Sequence, residues 1–159
     1  MDKEKFRDLI VAKREADHQL LLSAAKRSHE AATHEDNVPD SKYETLALEA
    51  SYIAQGQANR AQQIKQALEA YRKMVLQNFA DDSSIRLSAL VQLEEGSGRT
   101  RWVFLGPAAG GLMFHFEGIE IMLITPDSPL GQELMGSQLD DCISIGSGDV
   151  REYDIVAIK

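Results

Sequence analysis

Hard oxygen donors crowd one short stretch of this sequence. Between Thr33 and Glu44, in THEDNVPDSKYE, the carboxylates Glu35, Asp36 and Asp40 stand close together with His34 beside them. Side chains of this type can ligate a divalent cation, but hard cations want six or more oxygens, and an open turn supplies too few with too little rigidity. Such a cluster can instead complete a metal site that belongs to another molecule. Its plain alternative is an exposed turn made acidic for solubility. The same stretch carries turn chemistry: Pro39 removes a backbone donor that a continuous helix would need, and Asp40 or Ser41 can cap a helix that starts after it.

The other chemistry-bearing residues give weaker patterns. Gly106-Pro-Ala-Ala-Gly-Gly111 has the glycine content of a phosphate cradle, yet it lacks the GK[ST] ending and leads into a strand, where a phosphate loop needs a helix N-terminus. Ser88, Ser97 and His115 have no sequence context for a nucleophile, and His115 falls on the alternating face opposite Phe114 and Phe116, where a solvated histidine is expected. Trp102, Phe104, Phe114, Phe116 and Tyr153 could wall a proline pocket, but alternation in strands makes them core first. The basic pairs Lys13-Arg14, Lys26-Arg27 and Arg72-Lys73 have acids nearby at Glu15, Glu30 and Glu69, the pattern of a solvated helix face.

Two kinds of element must position these residues. From Asp2 to about Thr33, apolar or small residues recur at Phe6, Ile10, Ala16, Leu20, Ala24 and Ala31, with Lys13 and Arg27 as exceptions that keep the steps of three and four. Beyond the acidic turn the steps return at Leu46, Ala50, Ile53, Gln57, Ala61, Ile64, Leu68, Tyr71 and Val75, a narrow coiled-coil seam. A narrow seam covers one partner helix, so residues 1–78 are expected to form an antiparallel helical hairpin with its tip at 33–44. The second helix, from Ser41 to about Gln77, would be roughly 55 Å long. Residues 79–84 form a polar joint. From Ile85 the period changes to two, with strands expected from Ile85, around Trp102–Leu105, over Leu112–Phe116 and Ile119–Ile124, and at Ile143–Ile145 and Tyr153–Ile158. Ser128 can cap a short helix with Pro129 at its first position and Gly136 past its end. The fold class is therefore α+β: a helical hairpin, then a small, mostly antiparallel β domain over 85–159 with one short helix.

Composition bounds the function. The chain has 159 residues, 43% hydrophobic and 26% charged, as in a soluble globular protein. Residues 1–79 hold 12 basic and 12 acidic side chains, whereas residues 80–159 hold 5 against 13, so the second half should repel a nucleic-acid backbone. The single cysteine, Cys142, cannot form an internal disulfide, and no apolar run suits a membrane span or signal peptide. A cytoplasmic monomer with no membrane partner is expected.

Ile124-Thr-Pro-Asp-Ser-Pro-Leu-Gly-Gln-Glu-Leu-Met-Gly136, followed by Asp140-Asp141 and Tyr153-Asp-Ile-Val-Ala-Ile158, resembles the signature of the FKBP-like C-terminal domain of the bacterial GreA/GreB transcript cleavage factors. The resemblance spans nearly the whole chain. It implies that the protein binds RNA polymerase through the loop Pro126, Asp127, Ser128, Pro129 and Leu130, on the rim of the secondary channel. It further implies that the hairpin tip approaches the polymerase's catalytic Mg²⁺ and the backtracked RNA. Asp36 and Asp40, with Glu35 in reserve, would then assist hydrolysis by sharing that metal. The protein would be no enzyme by itself and would hold no cofactor of its own. The tip departs from the family's Asp-Leu-x-Glu-Asn-x-Glu-Tyr pattern: aligned on Tyr43, Pro39 and Lys42 occupy the two Glu positions. A channel-binding regulator that does not promote cleavage is the neighbouring alternative. An FKBP-like isomerase or chaperone with a helical appendage, or a coiled-coil adaptor, is the alternative from another class.

Overall fold

The two periods in the sequence become two helices and one sheet. A computed structural model describes residues 1–32, 43–146, 148 and 150–159, so the tip carboxylates Glu35, Asp36 and Asp40, together with His34, Pro39 and Lys42, lie outside the described residues. The elements are α1 (Lys3–Ala32), α2 (Tyr43–Lys73), β1 (Leu90–Glu95), β2 (Thr100–Leu105), β3 (Met113–Phe116), β4 (Ile119–Ile124), α3 (Pro129–Leu134), β5 (Cys142–Ile145) and β6 (Arg151–Ile158). The α+β class, with a helical hairpin ahead of a sheet carrying one short helix, is as the sequence implies.

The chain groups into two compact units, Leu9–Glu69 and Met1–Asp8 with Ala70–Lys159. The first turns of α1 and the last of α2 thus go with the sheet, and the polar joint at 79–84 lies inside that unit.

In the helical unit the stripes differ from the predicted ones. Ile10, Ile64, Ala67 and Leu68 are buried, but Leu20 and Ile53 are 68% and 63% exposed. The covered face of α1 runs instead through Arg14, Asp17 and Leu21. Two ion pairs accompany the shift: Asp17 accepts hydrogen bonds from Lys13, at 2.8 Å, and from Arg14, whose Nε is left buried without an acceptor. Burial pushes the Asp17 carboxyl up, and the two cations outweigh that and hold it below its ordinary value. Helix α2 also stops at Lys73, before the predicted end, which leaves Val75 75% exposed and gives a rod of about 46 Å.

The sheet has the order β3-β4-β2-β1-β6-β5. Its pairs are antiparallel except β2 with β4, which run parallel in the register Trp102↔Ile121 to Leu105↔Ile124. The hairpin β3–β4 turns on Glu117 and Gly118, at φ 49° and 80°, the left-handed pair that a two-residue turn between twisted strands requires. Val91, Leu93, Val103, Leu105, Leu134 and Ile155 centre the core. On the sheet's other aromatic cluster, the Phe6 ring meets those of Phe104, Phe114 and Phe116 at 5.2, 5.9 and 5.4 Å between centroids.

The strand expected from Ile85 begins only at Leu90. Ser88 stands at φ 73°, outside any strand conformation, while Ile85 bonds to the loop after α3 through Ile85 N–H to Ser137 O, at 2.8 Å, and Gly136 N–H to Ile85 O, at 2.9 Å. Ile85 and Ala89 are inside as the alternation implies, but Ser88 between them is inside too, so burial there follows a looped segment and not the alternation of a strand. Ser88 is wholly buried, and its hydroxyl accepts the Gln77 N–H at 2.8 Å.

Candidate functional site

The loop Thr125–Gly131 is built from its smallest residues outward. The Ser128 N–H and hydroxyl both donate to Thr125 O, at 3.0 and 2.7 Å, and the Ser128 oxygen accepts the Gly131 N–H at 3.1 Å. Ser128 is thus both turn closure and N-cap of α3, and Pro129 starts the helix where no donor is needed. Gly131 permits the closure: a Cβ there would stand 1.9 Å from Thr125 O. The outcome is a fixed turn with Asp127 and Pro129 exposed, Pro126 and Ser128 half-buried, and Leu130 buried. Of the five residues predicted to form the docking loop, Asp127 and Pro129 are therefore the ones offered outward. Ser128 and Leu130 hold the turn.

Behind that turn lies a cleft of about 550 Å³, with Ser128, Pro129 and Leu130 in one wall. Met122 and Ile145 supply further apolar lining, and Arg101, Arg151 and Tyr153 the polar part. The Arg101 guanidinium lies over the Tyr153 ring at 4.1 Å from its centroid. Sequence reasoning passed over Arg101 and Arg151; the signal available was that they are two of only 5 basic residues in the acidic half.

Other sequence-level candidates resolve into structure. Gly106 and Ala108 secure α2: the Tyr71 hydroxyl donates to Ala108 O at 2.8 Å, and a Cβ on Gly106 would meet that hydroxyl at 2.2 Å. The glycine-rich loop is thereby a seat for a tyrosine. His115 is exposed, with Nε2 3.1 Å from a Glu120 carboxylate oxygen. Of the five aromatics weighed as a proline pocket, Tyr153 lines the cleft, with an arginine on its face, while Phe104, Phe114 and Phe116 gather around Phe6. Cys142 is exposed, and a hydrogen bond to Asp154, with burial and the charges of Asp154 and Glu152 adding, pushes its thiol up, away from a reactive thiolate. Among the described residues no group of three His, Cys, Asp or Glu could hold a metal, and no helix is long and apolar enough to cross a membrane.

No family model matches this sequence, and no curated protein matches it. Among solved structures the chain is similar to the transcription factor Gfh1, at 24% identity and a TM-score of 0.41 over 96% of this chain and 92% of that one. It is similar to the GreA factor homolog 1 (Gfh1) protein of Thermus thermophilus at 21% identity and 0.39, over 96% and 94%. Against the prokaryotic transcription elongation factor GreA/GreB from Nitrosomonas europaea the figures are 14% and 0.34, over 60% of this chain and 78% of that one.

Proposed function

We propose that this protein is a Gre-type transcription factor that binds RNA polymerase at its secondary channel and acts on backtracked complexes. The observation that carries the reading is the Thr125–Gly131 turn. Its sequence resembles the signature of the GreA/GreB factors, and its hydrogen bonds and the Gly131 close approach fix a turn whose exposed residues are Asp127 and Pro129. A rigid loop loses little conformational freedom on docking, which suits recognition of a partner surface.

The helical pair would carry the tip to the polymerase's active site. The metal there belongs to the polymerase and, when bound, makes a bound water nucleophilic and stabilises charge on the transferring phosphate. The residues that this chain can add to it are Asp36 and Asp40, with Glu35 next to them. They are hard oxygen donors of the kind Mg²⁺ accepts, two being enough where polymerase and RNA supply the rest. Shortening of RNA in stalled, backtracked complexes tests the proposal: the parent chain accelerates it, and Asp36→Ala/Asp40→Ala does not. A second reading has its own observation. Pro39 and Lys42 stand at the two family Glu positions, which removes both carboxylates and adds a cation. On that reading the chain enters the channel and regulates without cleavage, and the parent binds polymerase while leaving the rate of shortening unchanged or lower.

A further inference from the structure

Arg101 stands on β2 with an unmet demand. Its Nε, like that of Arg14, is buried without a hydrogen-bond acceptor, but where Arg14 pairs with Asp17, among the described residues no carboxylate pairs with the Arg101 guanidinium. A cationic group withdrawn from water without a carboxylate beside it costs free energy, which an anionic group brought into the cleft would offset. The Tyr153 ring at 4.1 Å occupies the flat face of the group. Stacking of that kind leaves the N–H donors in the plane, the arrangement that receives a carboxylate by two parallel bonds. Arg101 lines the cleft behind the Thr125–Gly131 turn, Arg151 lines it as well, and Met122, Leu130 and Ile145 make the rest of the surface apolar.

We propose that this cleft binds an extended peptide segment of a partner protein in which an acidic side chain sits next to a large apolar one. The carboxylate meets Arg101, with Arg151 adding charge, and the apolar neighbour lies against Met122, Leu130 and Ile145. A volume of about 550 Å³ takes a few side chains and no more. A polyanion is the wrong occupant, because residues 80–159 hold 5 basic against 13 acidic side chains and repel an extended run of phosphates, whereas a single carboxylate answers to the local pair. The inference goes beyond polymerase docking by the turn: Asp127 offers a negative charge outward, and the cleft asks for a partner group of the opposite kind to the one Asp127 would meet.

The test is a titration of the isotope-labelled full chain with acetyl-Leu-Glu-Leu-amide, followed by amide NMR. Saturable shifts are expected at Gly110, Gly111 and Ile145. The counterpart peptide with Gln in place of Glu should bind about tenfold more weakly, the loss of one charge-assisted pair. Arg101→Met, which keeps an apolar stem over Tyr153, should lose a similar factor. Absence of shifts at millimolar peptide overturns the proposal, as does equal affinity for the Glu and Gln peptides, or full affinity in an Arg101→Met chain whose spectrum shows it folded. Stronger shifts at the same residues from a short oligonucleotide or a proline peptide also overturn it. If Arg101→Met does not fold, the Glu and Gln peptides decide on the parent chain.

Discussion

Lys3 sits where two preferences oppose each other. Its ammonium donates to Gln77 O and, at 3.1 Å, to Ser88 O, and it lies 4.6 Å from the centre of the Phe79 ring, all of which favour the charged form. Burial acts the other way and dominates, lowering its pKa from 10.5 to about 8. An amine that gives up its proton more readily when folded stabilises the fold as pH rises, because the unfolded chain binds more protons between those two values. The unfolding free energy of the parent should therefore gain on that of Lys3→Met from pH 8 to 10.5, by under about 1 kcal/mol since the group is half in solvent. Denaturant titrations of both proteins across that range check it, and parallel pH profiles would show that Lys3 is not the cause. None of this was legible in the sequence. The two carbonyls come from positions 77 and 88, brought together by the left-handed Ser88 and by an early end to α2, and neither follows from residue periodicity. Ser128 was legible, because capping is local: its bonds reach only Thr125 and Gly131.

Elements were read well where one face of the chain decides burial, and less well where a charge pair intervenes. The seam residues Ile64 and Leu68 of α2 are buried as periodicity implies, whereas the partner stripe on α1 is displaced onto Arg14, Asp17 and Leu21, with ion pairs that a hydrophobic pattern does not register. Ile64 is 7% exposed, so Ile64→Asp places an unpaired carboxylate inside the helical unit and should destabilise it by about 3 kcal/mol or more. An unchanged thermal transition would show that α2 does not pack through this seam. The strand pattern placed β2 to β6 but started β1 too early, at Ile85 and not Leu90, and it missed the parallel pairing of β2 with β4, since alternation specifies faces and leaves neighbours open. The Thr125–Gly131 turn carries its own element-level test. Gly131→Ala sets a methyl carbon 1.9 Å from Thr125 O, a contact with backbone that cannot yield cheaply, and should cost about 2–4 kcal/mol. Ser128→Ala removes a cap and should cost about 1 kcal/mol. Chemical denaturation of the two variants ranks them, and equal losses would mean that the turn relaxes around a side chain at 131.

At the scale of the whole chain the unequal charge of the two halves was the clearest statement in the sequence, and it bears on how a partner is met. The tip carboxylates are assigned by sequence alone, since they lie outside the described residues, so a binding test is best placed on the sheet unit. There the fixed turn exposes Asp127 in a segment whose excess of carboxylates favours a basic partner surface or the positive end of a helix. Reversing that charge changes no packing, because the side chain is exposed and the turn is closed by Ser128 and Gly131. Asp127→Arg should therefore keep the parent's melting curve and bind core RNA polymerase about tenfold more weakly at low salt. Raising the ionic strength to about 0.5 M should narrow the gap between the two, since screening removes long-range attraction and repulsion alike. Equal affinity at low salt would place the polymerase contact away from this turn. A gap that persists unchanged at high salt would assign it to a close, desolvated contact at Asp127 rather than to the field of the acidic unit.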